Sequence, residues 1–356
     1  YADQKNYIIN LIHVMYTIIL NFLQLTLLYL TKIYYLYLII KIVMRLVENM
    51  VISYVANKKY PYIKDNNIQK LDKNTENDIF AKVRALFFHK IGSFVVLGTD
   101  NIVISKFLGL VTVGLYSNYF LIINAVQMVF GQMIQATTAS IGNLLVTETK
   151  EKCFDVFKKI RFLNFWIATF SSIAVLVIMD SFITIWIGDK FILSHFVLIV
   201  LVINLYQKLM RNSYSTFKEA AGIFYEDRFV PLVEAMINIV VSIVCCKIFG
   251  LAGVFIGTIV SGLALWCYSY PKFVYVKLFG RDYASYIKET IGYLFLFLGT
   301  SFITYLISLS IAFTNVYLEF FSNVFISLIV PNIILLVIFF KTYCFKYYYN
   351  LILKRK

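Results

Sequence analysis

Three ionisable side chains, Lys41, Arg45 and Glu48, are spaced i, i+4, i+7 in a stretch otherwise made of Leu, Ile, Val, Met and Tyr, with Asn49 beside them. On a helix of 3.6 residues per turn they share one face. A charge at the centre of a bilayer costs about 3 kcal/mol even on the lenient insertion scale, so such a face must hold water, an internal ion pair or a ligand. The plain reading is that Glu48 neutralises Arg45 while Lys41 snorkels. The chemical reading is binding of phosphate, to which Arg offers a bidentate fork and Lys a point charge. A second stripe repeats the pattern more openly. Asn204, Lys208, Arg211, Ser215 and Lys218 fall at i, i+4, i+7, i+11 and i+14, with no acidic residue before Glu219. Its plain reading is a helix end with ordinary cytoplasmic-side cations, which suits Arg211 and Lys218 better than the deeper Lys208.

Residues 98–143 read as two apolar helices joined by a short turn. Asn124, Gln127, Gly131, Gln135, Thr138 and Gly142 recur there at helical spacing, giving a polar and small face. Such a face suits a hydrated cavity, with hydrogen bonding to neighbouring helices as the alternative. Asp100 and Asn101 precede it, and Glu234 with Asn238 add a further polar pair. A carboxylate in such a place, whether Asp100, Glu234 or Glu48, can carry a coupling proton or sodium ion, or can pair with a cation across the bundle. Gly253, Gly257 and Ser261 form a small-residue seam for close helix packing.

Enzyme signatures are lacking. The cysteines (Cys153, Cys245, Cys246, Cys267, Cys344) show no metal-binding spacing, and His13, His89 and His195 sit in separate helical stretches without an HExxH pattern or a nearby carboxylate in sequence. No GxxxxGK[ST] loop occurs. No cofactor, metal or nucleic-acid partner is expected.

These residues sit on elements that composition identifies. Of 356 residues, 60% are hydrophobic, 18% aromatic and only 15% charged, which no single soluble core can absorb. Apolar runs of about 20 to 25 residues match helices crossing about 30 Å of hydrocarbon, not the strands of about 10 residues that build a barrel. The expected fold is all-α, a polytopic bundle with about ten spans, at 7–30, 34–55, 85–107, 114–145, 163–187, 191–210, 230–249, 251–273, 291–312 and 321–340. Basic residues crowd the segments 57–84, 147–161, 211–228 and 272–288 and the C-terminal tail, while the alternate connections hold only Lys32, Lys106, Lys190 and Lys247. The positive-inside rule then places both ends of the chain in the cytoplasm. The polar segment 57–84, opening on NKKYP, reads as a solvated linker between two bundles, and the helices after Lys288 read as a peripheral pair facing lipid.

The stretches TDNIVISKFLGLVTVGLYSNYFLIINAV and TASIGNLLVTE, with ADQKNYI and ANKKYP before them, resemble the polysaccharide repeat-unit flippases of the multidrug/oligosaccharidyl-lipid/polysaccharide exporter superfamily. The resemblance runs through nearly the whole chain on diffuse motifs. It implies about 14 helices in two lobes around a central cavity, working by alternating access. The chain would begin after the fourth helix. Residues 1–56 would close the N-terminal lobe, 57–84 join the lobes, 85–280 form a C-terminal lobe of six helices, and 281–356 add a helix pair and a basic tail. The implied cargo is an undecaprenyl-diphosphate-linked oligosaccharide, turned across a bacterial cytoplasmic membrane for capsule, exopolysaccharide or O-antigen assembly. A polymerase and glycosyltransferases would be its pathway partners and sodium or protons its coupling ions. Lys41 and Arg45 would face the diphosphate from one wall, and Lys208 and Arg211 from the other. Asn101, Asn124, Gln127, Gln135 and Asn204 would line the cavity. No family motif marks the four cations, which rest on periodicity. Two other readings stay open. One is a multidrug/cation antiporter of the same superfamily, which would want carboxylates where this chain carries mainly basic charges. The other is a membrane-embedded polymerase or acyltransferase, which would want a large outer loop or a histidine with acidic partners in a cavity.

Overall fold

The computed structural model describes residues 6–64, 72–311 and 313–353. It is 90% helical and, among the described residues, contains no strand. Eight of its helices are long and apolar enough to cross a membrane, so the chain is an all-α, multi-pass membrane protein. Part of the expected linker, residues 65–71, the end of the tail, residues 354–356, and the side chain of His89 lie outside the described residues.

The chain divides after Thr75 into two compact units. The first is a helical hairpin of α1 (Asn6–Thr31) and α2 (Tyr34–Lys59), turned at Lys32 and Ile33 and followed by a short 3₁₀ turn, Pro61–Lys64. Side chains of α1 meet α2 across the turn, the α1 residue lying about four positions farther from it than its partner. Gln24 donates from Nε2 to the Tyr37 carbonyl at 3.0 Å. Apart from Gln24 and Glu48, the described side chains of α1 and α2 are exposed or only half-buried. Their charges keep α2 and the 26-residue α7 (His195–Ala220) out of the set of eight, although both read as spans from sequence.

The second unit holds everything from Glu76 onward. Its first helix, α3 (Lys73–Leu108), starts a dozen residues before the expected span, so the last part of the linker is helical. Gly109, at φ +86°, makes the turn into α4 (Leu110–Gln135), where a side chain would be strained. The long fourth span breaks at Ala136 and Thr137 into α4 and α5 (Thr138–Thr147). The centre of the unit is α6 (Lys150–Ile187), whose apolar and small residues are buried along most of its length, packed beside α7.

The tightest packing joins α8 (Val230–Phe249) to α9 (Leu251–Ala264) through the single residue Gly250. A Cβ on Gly253 would run into the Cys245 carbonyl, and one on Gly257 into Ser242, whose backbone nitrogen would lie 2.5 Å away. The small-residue seam therefore has a defined partner, the α8 backbone, and Ser242 Oγ closes it by donating to the Val254 carbonyl at 3.0 Å. Pro231 of α8 presses equally closely on Gly92 of α3, within 2.6 Å of a Cβ placed there. Beyond α9 the chain widens into a π-helical segment, Leu265–Leu278, containing Pro271. Such wide turns are rare in α-helices and cluster at functional sites.

The last helices, α10 (Tyr283–Ser310), α11 (Val316–Phe339) and α12 (Tyr343–Leu353), pack against α6 on one side and leave much of the apolar surface of α10 and α11 exposed. Phe339 packs edge-on against Phe162 at 5.1 Å, and Trp166 Nε1 donates to Asn332 at 2.7 Å. Arg161, only 3% exposed, is held by Glu289 of α10 and by Tyr275 of the π segment, whose hydroxyl donates to Glu289 at 2.7 Å. A buried cation needs this enclosure, because a charge taken out of water is stable only when paired and hydrogen-bonded.

Candidate functional site

Four helices of the second unit, α3, α7, α8 and α9, bring together a set of polar groups that a purely structural bundle would not carry. At one end of the set Thr258 Oγ1 lies 3.2 Å from each oxygen of Asp100, and Asn238 Nδ2 donates to Thr258 Oγ1 at 3.2 Å. Asp100 is 8% exposed, Thr258 3% and Asn238 0%. The Val254 carbonyl is 3.3 Å from the same hydroxyl, and Asn238 Oδ1 is buried without a partner. The Asp100 carboxylate of α3 and the Val254 carbonyl of α9 thus meet at the Thr258 hydroxyl, with the Asn238 amide of α8 against it. Oxygen sets of this kind suit a hard cation such as sodium, because each oxygen replaces part of a hydration shell.

At the other end, Arg211 of α7 bonds Glu234 of α8, Nη2 to Oε1, at 2.9 Å. Its guanidinium lies where a side chain on Gly262 would be, and Gln207 Oε1 lies 2.8 Å from that same point. Gly262 is therefore what lets the α7 side chains cross α9. Arg211 Nε and Gln207 Oε1 remain without hydrogen-bond partners.

Lys208 of α7 is one turn before Arg211 and follows Gln207, whose Nε2 donates to the Ile259 carbonyl at 3.1 Å, beside Thr258. It is half-buried, and among the described residues its ammonium makes no hydrogen bond and no ion pair. The charges acting on it are those of Asp100, Arg211 and Glu234. Arg211 and Glu234 also line a cavity of about 480 Å³, together with Lys90, Ser215, Lys218 and Tyr270. Lys218 is bound to Asp227, which accepts from Ser269 Oγ at 2.8 Å. The cationic stripe read from α7 alone thus acquires acidic partners from elsewhere in the fold, Glu234 for Arg211 and Asp227 for Lys218.

In the first unit, Arg45 Nη1 donates to Glu48 Oε2 at 2.7 Å, the pairing that their spacing allows. His13 of α1 donates from Nδ1 to Glu48 Oε1 at 2.8 Å. Lys41 makes no ion pair among the described residues. The sequence shows no carboxylate near His13, because the contact is made across the hairpin and neither residue's spacing within its own helix marks the other. His195 likewise lies 3.7 Å from Asp180 of α6, on which the Tyr119 hydroxyl also converges at 3.4 Å.

The amides expected to line a cavity are scattered. Asn101, Asn124 and Gln135 are exposed and Gln127 is half-buried, while Asn204 is buried one turn from Lys208 with its Oδ1 unpaired. Thr258, Gln207 and Gly262 were not singled out as site residues from sequence, where a lone threonine, a lone glutamine and a glycine in an apolar helix carry no pattern. No family model matches the chain, and neither a curated protein nor a solved structure does.

Proposed function

We propose that this protein is a membrane flippase of the polysaccharide-exporter type, moving lipid-diphosphate-linked oligosaccharide repeat units across a bacterial cytoplasmic membrane by cation-coupled alternating access. The observation that carries this reading is the juxtaposition of a buried oxygen set at Asp100, Thr258 and Asn238 with the unpaired cation Lys208. A packed bundle gains nothing from a half-buried lysine without a partner, whereas a carrier of an anionic headgroup needs one. The prenyl tail of such a substrate can stay in lipid, so the protein has to supply polar contacts only for the diphosphate and the sugars. Lys208 and Arg211 are the proposed diphosphate ligands in this unit, with Lys41 and Arg45 as candidates in the hairpin. Asp100 is the proposed centre of the coupling-ion site, and Glu234 tethers Arg211. The resemblance of residues 99–126 and 138–148 to repeat-unit flippases supports the same reading.

The test is export in cells carrying the full-length protein. Lys208→Ala should abolish surface polysaccharide and leave lipid-linked repeat units on the cytoplasmic leaflet; normal surface polymer in that variant would remove the assignment. A second reading, export of apolar compounds, is favoured by an aromatic-walled cavity of about 380 Å³ lined by Tyr206, Gln207, Trp266 and Tyr286. No carboxylate lines it. Under that reading, cells lacking the protein would become sensitive to lipophilic compounds while their surface polymer stayed intact.

A further inference from the structure

We propose that Lys208 is a tethered cation that links the two ligands of this site, so that a monovalent cation at Asp100 and a phosphate-bearing anion at Lys208 each strengthen the binding of the other. This rests on the flippase reading for its biological meaning, but the linkage itself follows from the charges in place. Four ionisable groups face one another here, two acids and two bases. Arg211 and Glu234 are in direct contact and cancel locally. Asp100 and Lys208 are left without an ion pair between them but close together, since Gln207, next to Lys208, donates to the carbonyl of Ile259 at 3.1 Å, and Ile259 is next to the Thr258 that bonds Asp100. Asp100 instead takes the Thr258 hydroxyl, whose oxygen accepts from Asn238 Nδ2, and the buried Oδ1 of that amide is unpartnered.

This half-satisfied arrangement has a defined response to ligands. With no cation bound, Lys208 is the nearest compensation for the Asp100 carboxylate, although it stands outside ion-pair distance. A sodium ion at the oxygen set neutralises Asp100 and leaves the Lys208 ammonium uncompensated in a low-dielectric interior, where it attracts an anion more strongly. An anion drawn to Lys208 in turn leaves Asp100 uncompensated and raises its affinity for the cation. Linkage requires the two effects to be equal, so one measurement reports on both. The geometry is suited to this task because the two groups come from different helices. Asp100 is on α3 and its oxygen partners are on α8 and α9, whereas Lys208 is on α7, so binding at both points ties all four helices together.

The experiment uses the full-length protein in lipid nanodiscs, with sodium chloride against potassium chloride at fixed pH and ionic strength, and inorganic diphosphate as the anion probe. In the wild type, saturating diphosphate should raise sodium affinity about tenfold, within the usual range of coupling between sites. Lys208→Met should bind sodium more tightly than wild type in the absence of diphosphate, because the competing charge is gone, and diphosphate should no longer alter it. Lys208→Arg keeps the charge and should keep the linkage, which separates loss of charge from misfolding. Asp100→Asn should lose sodium binding and hold diphosphate independently of sodium. Sodium affinity that is the same in wild type and Lys208→Met, or that does not respond to diphosphate in the wild type, would overturn the proposal. Export of repeat units is measured separately in cells. Linked binding without export would sink the flippase reading alone, and export without linked binding would sink this inference alone.

Discussion

Arg211 and Glu234 meet at 2.9 Å between α7 and α8, and the guanidinium reaches that position only because residue 262 of α9 has no side chain. One contact therefore depends on three helices, and each can be tested.

Gly262→Ala places a methyl group against Arg211 Nη2 and 2.8 Å from Gln207 Oε1. Both neighbours are ends of flexible side chains, so the bundle should survive while the guanidinium moves off Glu234. The expected cost is about 1 to 3 kcal/mol, read as a lower thermal midpoint in detergent. A Gly262→Ala variant as stable as wild type would mean that Arg211 does not lie over this position.

Glu234→Gln leaves Arg211 charged and without its partner. Removing one member of a mostly buried pair costs roughly 3 kcal/mol or more, whereas replacing both members with apolar residues is often close to neutral. The double variant Arg211→Met/Glu234→Leu should thus be more stable than Glu234→Gln. The check is a double-mutant cycle by thermal unfolding, and additive costs would deny the contact.

Arg161 tests how firmly the C-terminal helices are joined to α6. Its guanidinium bonds Glu289 and Tyr275 and lies 5.2 Å from the centre of the Tyr293 ring. Arg161→Met should cost about 3 to 5 kcal/mol by stranding Glu289. Arg161→Lys should not restore it, because an ammonium lacks the planar fork that serves two partners at once. Limited proteolysis in the turn Gly280–Asp282 should speed up in both variants. An unchanged cleavage rate would show that α10 is held by other contacts.

Glu226 lies in the turn between α7 and α8. Burial alone would raise its carboxyl, but the hydrogen bond from Lys277 prevails and holds it below the usual glutamate value. A carboxyl lowered by folding stabilises the fold above its unfolded value, and that contribution disappears as pH falls through the lowered folded value. The pair is largely exposed, so the effect should be about 0.5 kcal/mol or less. In thermal unfolding between pH 3 and 6, roughly the carboxylate range, Lys277→Gln should lose part of the acid-side fall in the midpoint. Identical pH profiles would remove the interaction.

The α8–α9 seam predicts the sharpest steric effect. Gly257→Ala would bring its methyl group against Ser242, including the backbone nitrogen 2.5 Å away, and backbone cannot swing aside. A cost of about 3 kcal/mol or more is expected, together with loss of the Ser242 bond to the Val254 carbonyl. Ser242→Gly should relieve part of it, and no relief in that background would place the clash elsewhere.

The sequence by itself determined the class of the protein and most of its helices. Runs of about 20 apolar residues can bury their backbone polar groups in lipid only by coiling into helices, and that constraint acts on each segment alone. Local spacing was likewise enough for Arg45 and Glu48, which pair within one helix, and for Gly253 and Gly257, whose seam is a property of one face. It was not enough wherever the partner comes from another element. His13 finds Glu48, Lys218 finds Asp227, Arg161 finds Glu289 and Asp100 finds Thr258 only after helices have packed, and nothing in the periodicity of one helix records which neighbour will lie against it. The stripe on α7 shows the difference most clearly. Its spacing put Arg211, Lys208 and Lys218 on one face with Lys208 the deepest, and only the tertiary structure decided that two of them are neutralised by carboxylates and that Lys208 is left without a partner.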